Sequence, residues 1–221
     1  MECRSCQTEL NPKAKFCGKC GTKVKATKKN LHLGAINRLI VFFVSLLLFI
    51  AILNWSEAMN DYVTTLYTDL LFAVLILVYF FLDFKNQRKL FSFRRVKWLP
   101  LTIVVVSAPL LSLLVLNFTN FMNDTVFMVE VEGYYQQFSE APFPWFFTLL
   151  SVGFFPAVFE EIGFRGVAFD LLRKVTPLKS VILISAVLFY LVHLSLLSVL
   201  WILPIGIVFA IFRAKYNTLW Y

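Results

Sequence analysis

Six long apolar runs dominate the sequence, and a helix needs about 20 apolar residues to cross the hydrocarbon core of a bilayer. Hydrophobic residues make up 59% of the chain, more than one soluble core requires. Because the runs are continuous rather than alternating, they predict an all-α polytopic bundle of transmembrane helices. The last two runs abut, which allows either two spans or a tight re-entrant pair. The runs are 33–53, 65–84, 98–118, 144–172, 181–199 and 200–212.

The charges between these runs alternate in sign along the chain. The arm 1–32 and the loop 83–97 are rich in Lys and Arg, whereas the loops 54–64 and 119–141 contain neither. Basic segments face the cytoplasm, so the alternation predicts a cytoplasmic N-terminus. The net charge of +8 then reflects topology and attraction to anionic membrane lipid, which argues against a nucleic-acid partner. The acids of the two loops are Glu57, Asp61, Asp124, Glu130, Glu132 and Glu140.

All four cysteines of the chain lie in two Cys-x-x-Cys units near the N-terminus, separated by ten residues. Zinc prefers four soft ligands in a tetrahedron, and each unit offers two thiolates from one tight turn. The pattern resembles the short zinc ribbons of many bacterial membrane proteins and predicts a structural zinc site in residues 1–25, followed by a basic linker, 26–33. A redox pair or four unconnected thiols is the alternative. The predicted ligands are Cys3, Cys6, Cys17 and Cys20.

Ionisable residues inside the fourth and fifth runs are the candidate functional groups, because charge inside a bilayer is costly. Glu161 and Arg165 are four residues apart, so they can pair on one helix face. Glu160 points about 100° away and keeps no local partner, which makes it a candidate general base. The other intramembrane charges, Arg38 and Asp69, lie near span ends and are expected to reach the interface. The candidates are Glu160, Glu161, Arg165 and His193.

Depth in the membrane independently brings Glu160 and His193 together. Glu160 lies thirteen residues before Arg173, and His193 lies fourteen residues after Lys179; these two basic residues mark the cytoplasmic ends of their runs. At about 1.5 Å per residue, both side chains lie about 20 Å from that end. Antiparallel neighbours would therefore place the carboxylate and the imidazole at one level, with Phe189 on the face of His193.

Two alternatives follow from the same four residues. In the first, Glu161 and Arg165 form a purely structural ion pair, Glu160 faces a water-filled cleft, and His193 bonds a backbone carbonyl. In the second, the two glutamates and His193 bind zinc or iron, although they lack the spacings of common helical metal motifs. We expect no cofactor for catalysis.

Two segments of the sequence resemble motifs of the CAAX protease and bacteriocin-processing family, relatives of the type II CAAX prenyl endopeptidase. Glu160-Glu161-Ile-Gly-Phe-Arg165-Gly166 is similar to the family's EExxxR motif, and Phe189-Tyr-Leu-Val-His193 to its FxxxH motif. The resemblance covers residues 143–221. It implies an intramembrane glutamate-dependent endopeptidase in which Glu160 activates water, His193 assists, and Glu161 and Arg165 hold the helix and the site.

The family also has a later helix with an HxxxN motif that stabilises the oxyanion, and this sequence shows no histidine after His193. We therefore expect spans in 34–142 and a protease-like core in 143–221 that lacks the last helix; the loss of one oxyanion donor lowers the rate of such an endopeptidase about 10²–10³-fold. The expected substrate is a membrane-associated peptide or protein, and the expected location is a bacterial cell membrane. The leading alternative is a non-catalytic protein of the same fold, such as a bacteriocin self-immunity or scaffold protein. A polar transport path through the same charges ranks third.

Overall fold

A computed structural model describes residues 3–221 except 4, 10, 12, 13, 15, 23–27, 57–60 and 129–133. Glu57, Glu130 and Glu132 of the acidic loops lie outside the described residues. The described part of the chain forms helices and no strands, which confirms the all-α class. The six main helices are α1 (Lys28–Ser56), α2 (Tyr62–Leu82), α3 (Trp98–Met122), α4 (Pro144–Arg173), α5 (Leu178–Leu191) and α6 (Val199–Tyr216).

Shorter helical turns connect these helices. Three follow α2, one continues α3, and one precedes α4. Helix α1 begins inside the segment expected to be a basic linker, so most of 26–33 is helical. The turns are Phe84–Gln87, Arg88–Phe91, Phe93–Arg95, Asn123–Phe127 and Tyr134–Gln137.

Five of the helices are long and apolar enough to cross a membrane, and α5 is shorter. With 14 residues, α5 extends about 21 Å, less than the roughly 30 Å of a hydrocarbon core. The helical part of the fifth apolar run ends at Leu191 rather than near Val199, and a turn at 192–198 leads into α6. A Cβ added at Gly206 of α6 would lie 3.3 Å from Ala186 of α5, so these two helices approach each other closely.

The core lies between α1, α2 and α4. Phe42, Ile76 and Phe164 are almost completely buried there. Gly163 of α4 faces Ile76 so closely that a Cβ would lie 2.9 Å from its Cδ1 atom. In contrast, α3 has no buried residue, so its apolar side chains are available to lipid.

The basic segments that follow α2, α4 and α6 meet at one end of the bundle. Lys174 forms an ion pair of 3.3 Å with Asp83, and the Arg95 Nη1 atom donates to the Asn217 carbonyl at 2.8 Å. We call this end, which carries the loop 83–97, the basic end. The meeting of these segments agrees with the alternation of charge in the sequence.

Helix α4 is wider than an ordinary α-helix over most of its length. Its hydrogen bonds have the i→i+5 pattern of a π-helix over Leu149–Phe154 and Pro156–Ala168. Pro156 has no N–H and cannot donate to the carbonyl of the preceding turn, so the regular α pattern is interrupted there. Such wide turns are frequent at functional sites, and this one contains every candidate residue of the first motif.

Candidate functional site

Arg165 joins α4 to the two helices that follow it. Its Nη1 atom lies 2.9 Å from Oε1 of Glu161, so the ion pair predicted from the spacing forms. Nη2 donates to the Gly206 carbonyl of α6 at 3.4 Å, and Cζ lies 4.1 Å from the ring centroid of Phe189 of α5. Only 2% of Arg165 is exposed, and its charge is therefore held by protein groups rather than by solvent.

His193 lies in the turn after α5 and is oriented by that helix. Its Nδ1 atom is 2.8 Å from the Phe189 carbonyl oxygen, and the two rings meet edge to face at 4.9 Å. Because a carbonyl only accepts, Nδ1 carries the hydrogen and Nε2 of the neutral ring is left as an acceptor. Phe189 therefore contacts both Arg165 and His193, as the predicted common face requires.

Glu160 and His193 line the same cavity, which has a volume of about 230 Å³. The cavity lies between α1, α2, α4 and the turn after α5, and most of its wall is apolar. The structure therefore brings together the two groups that equal depth predicts to meet. Glu161 lies elsewhere, beside a small crevice that Phe209 and Arg213 also line. The two adjacent glutamates thus face different surroundings.

Asp69 of α2 also lines this cavity, which the sequence analysis did not anticipate. Its Oδ2 atom accepts a hydrogen bond of 2.5 Å from Oγ of Ser151, a buried residue of α4. Asp69 was expected to reach the membrane interface, and that expectation is wrong. A signal was present: Asp69 lies thirteen residues before Leu82, the end of α2, which is the same distance that separates Glu160 from Arg173.

A second polar group holds the basic end of α4. The Arg213 Nε atom donates to the Arg165 carbonyl at 2.8 Å, and its Nη2 atom donates to Oδ1 of Asp170 at 2.7 Å. Nε2 of Gln87 donates to Oδ2 of the same aspartate at 3.2 Å. A Cβ at Gly166 would lie 2.7 Å from Oε1 of Gln87, so this glycine permits the close approach. We call Arg213, Asp170 and Gln87 the polar clamp.

The polar clamp was missed because Arg213 was interpreted only as a basic residue that marks the end of a span. Only 5% of Arg213 is exposed. Its guanidinium pairs with Asp170 and donates to the Arg165 carbonyl, and both partners lie within the bundle. Asp170 contributed nothing to the sequence analysis, since it lies close to Arg173 at a span end. No local pattern in either segment indicates that α4 and α6 will place these two side chains together.

The four cysteines form a compact cluster in which every Sγ atom lies within 4.8 Å of the others. Cys3 and Cys20 are 3.5 Å apart, as are Cys6 and Cys17. A tetrahedral zinc centre with Zn–S bonds of about 2.3 Å places its sulfur atoms about 3.8 Å apart. The donor set and its spacing therefore fit a closed four-thiolate metal site. Among the described residues this is the one cluster of three or more metal-ligating side chains.

The two halves of this cluster repeat one backbone design. The Cys3 N–H donates to the Thr8 carbonyl at 2.9 Å, and the Cys17 N–H donates to the Thr22 carbonyl at the same distance. The contacts of Cys20 with the side chain and backbone of Thr22 lower the pKa of its thiol to about 6, whereas the pKa of the neighbouring Cys3 thiol is raised to about 11. Two equivalent turns thus present four sulfur atoms to one point.

Comparison with protein families matched residues 142–221 to the model of the type II CAAX prenyl endopeptidase Rce1-like family. The matched segment contains both motifs, Arg213 and Asp170, whereas Asp69 and Gln87 lie before it. Searches of the curated proteins and of the solved structures found no match.

Proposed function

We propose that the chain is an intramembrane endopeptidase dependent on Glu160, because residues 142–221 match the model of the type II CAAX prenyl endopeptidase Rce1-like family. It hydrolyses a peptide bond of a membrane-associated peptide or protein. The observation that carries this proposal is that Glu160 and His193, from separate elements, line one cavity while Glu161 is paired with Arg165.

The two cavity groups are suited to hold and activate one water molecule. The Glu160 carboxylate and Nε2 of neutral His193 are both acceptors, so one water can donate a hydrogen bond to each. Its oxygen lone pair is then available to attack the scissile carbonyl carbon. Glu160 takes the proton as the C–O bond forms and delivers it to the amide nitrogen as the C–N bond breaks. The products are a carboxylic acid and an amine.

Glu161 and Arg165 are positioning residues in this mechanism. Arg165 stacks on Phe189, whose carbonyl oxygen orients the imidazole of His193. The ion pair with Glu161 therefore maintains the arrangement of α4 and α5 on which the site depends. Loss of Glu161 would leave a buried guanidinium without its counter-charge, which is costly.

The direct test is hydrolysis by the full chain reconstituted in liposomes with a library of membrane-anchored peptides, followed by mass spectrometry. We expect Glu160→Gln to reduce turnover about 10²–10⁴-fold, the usual contribution of a general base. The matched control is Glu140→Gln, an identical change at an exposed position. Full activity in Glu160→Gln contradicts the mechanism. Absence of cleavage by the wild-type chain supports the alternative of a non-catalytic protein with the same fold.

For the cysteine cluster, we propose one structural zinc ion held by all four thiolates, with no open coordination position. The sulfur distances and the two equivalent turns support this assignment. Metal analysis of the purified full chain should give one zinc per protein, and Cys17→Ser should lose it. Ser5→Ala, in the first turn, is the control that keeps all four ligands. Substoichiometric zinc in the wild type would contradict the proposal.

We further propose that the basic end of the bundle faces the cytoplasm of a bacterial cell. The support is the alternation of basic and acidic loops, together with the contacts that join the basic segments at one end. An impermeant thiol reagent applied outside the cell should label Asp124→Cys and spare Arg94→Cys. The reverse pattern would overturn the orientation.

A further inference from the structure

Asp69 is an ionisable group of the cavity that the proposed mechanism does not use. It reaches the cavity from α2, outside the segment that matches the protease family. The buried Ser151 hydroxyl donates to its Oδ2 atom, and Ser151 lies on α4 nine residues before Glu160. Asp69 therefore lines the same cavity as Glu160 and His193, with one of its oxygens held by Ser151.

The Ser151 contact orients Asp69 and occupies one of its two carboxyl oxygens. The O–O distance is 2.5 Å, within the range of about 2.5–2.7 Å for a hydroxyl that donates to a carboxylate. The hydroxyl has one hydrogen, and this bond uses it, so the aspartate acts as the acceptor. Within the described part of the chain, the other carboxylate oxygen has no hydrogen-bond partner.

The charges around the cavity are unbalanced. Two acids, Asp69 and Glu160, line it, and none of its lining residues is Lys or Arg. Arg165 lies on another side of α4, held by Glu161 and the Phe189 ring. Buried carboxylates are normally paired with positive charge, and this requirement is stronger within a membrane. A ligand that carries a positive charge would therefore balance the two acids of the cavity.

The apolar part of the wall suits the rest of such a ligand. Phe49, Phe72 and Phe155 line the cavity together with Asp69. A lysine or arginine side chain combines an apolar stem, which packs against rings, with a charged end that requires an acceptor. The phenylalanine rings and the Asp69 carboxylate together complement both parts.

We propose that Asp69 is the specificity-determining residue of the cavity and binds a lysine or arginine side chain of the substrate beside the bond that is cut. This inference rests on the proposed protease function and adds the chemical class of its substrate. Asp69 binds the substrate and takes no part in the proton transfer, which belongs to Glu160.

The test compares membrane-anchored peptides that are identical except for lysine or norleucine beside the cleavage site, with kcat/KM measured for the full chain in liposomes. We expect the wild type to prefer the lysine peptide at least tenfold, mainly through KM. Asp69→Asn, which keeps an oxygen for the Ser151 hydroxyl, should reduce this preference to about onefold. Asp124→Asn, the same change at an exposed site, should keep the wild-type preference. An unchanged preference in Asp69→Asn overturns the proposal.

A binding measurement separates this proposal from the protease proposal. Fluorescence anisotropy in nanodiscs measures the affinity of the same labelled peptides without any requirement for cleavage. We expect at least tenfold tighter binding of the lysine peptide by the wild type, and loss of that difference in Asp69→Asn. This result in a chain that cleaves nothing would support Asp69 as a cation-binding residue and contradict only the protease function. Equal affinity for both peptides in the wild type overturns the inference, even where cleavage occurs.

Discussion

Two charged residues in the second half of α4, Arg165 and Asp170, are paired with protein partners. Glu160, five residues before Arg165 on the same helix, lines a cavity instead. Arg165 pairs with Glu161 at 2.9 Å, and Asp170 pairs with Arg213 at 2.7 Å. Within the described residues, Glu160 has no ion pair or hydrogen bond, and it shares its cavity with another acid. One helix therefore carries two different arrangements of charge.

The difference separates charges that maintain the fold from charges that are available for chemistry. Removal of one partner from a buried pair leaves the other uncompensated, so it should mainly reduce stability. Removal of an unpaired carboxylate relieves a desolvation cost, so it should reduce activity without reducing stability. Variants of the paired charges and variants of the cavity carboxylate should therefore fail in different assays.

The polar clamp is expected to give one of the two largest effects on stability. Arg213→Ala leaves the partly buried Asp170 without its counter-charge and should reduce the free energy of unfolding by about 3–5 kcal/mol. The control is Lys215→Ala, two residues away and exposed. Denaturant titration in mixed micelles measures the difference. Equal stability of the two variants would show that the clamp does not hold α4.

The double variant sharpens the same point. If Asp170 and Arg213 act as a pair, Asp170→Asn in the Arg213→Ala background should cost less than Asp170→Asn alone, because no counter-charge remains to be lost. Additive effects in this cycle would indicate two independent residues.

A smaller loss is expected from a steric change in the same region. Gly166→Ala places a Cβ 2.7 Å from Oε1 of Gln87, so the amide or the helix must shift, at a cost of about 1–3 kcal/mol. Gly153→Ala is the control on the same helix, because nothing lies within 4 Å of its added Cβ. A Gly166→Ala variant as stable as Gly153→Ala would contradict the close packing of Gln87 on α4.

The smallest effect concerns the beginning of α2, far from both regions. The Asp61 side chain accepts a hydrogen bond from the Thr64 N–H at 2.9 Å, and the Thr64 side chain and backbone lower the pKa of Asp61 below its usual value. A lowered pKa in the folded state stabilises the protein above about pH 4, and this contribution is lost as the pH falls through the folded-state value. Asp61→Ala should therefore reduce Tm slightly at pH 7, and the reduction should become smaller as the pH falls below about 4. A reduction that does not change with pH would contradict the cap.

The parts of the fold that were predictable from the sequence depend on local patterns. Long apolar runs indicated the helices, and the spacing of Cys3, Cys6, Cys17 and Cys20 indicated their cluster. The end of α5 was wrong because the turn 192–198 is itself rich in leucine, and hydropathy does not distinguish an apolar turn from an apolar helix. The wide turns of α4 have no signal in side-chain periodicity.

The shared cavity of Glu160 and His193 was predictable where depth could be counted from a basic anchor. This count brought Glu160 and His193 together, and the same count from Leu82 would have included Asp69. The polar clamp could not be found in this way, because it depends on how α4 and α6 pack. A basic residue at a span end has the same sequence pattern whether it faces solvent, as Lys215 does, or is buried, as Arg213 is.

The most direct test of the account compares Glu160→Gln with Glu161→Gln, two identical changes at adjacent positions, by turnover and by the free energy of unfolding in the same preparation. We predict that Glu160→Gln loses turnover about 10²–10⁴-fold and keeps wild-type stability. We predict that Glu161→Gln loses about 3–5 kcal/mol of stability, since Arg165 is left buried without its partner. Wild-type turnover in Glu160→Gln, or equal stability of the two variants, would contradict the division of α4 into a reactive cavity and a paired structural end.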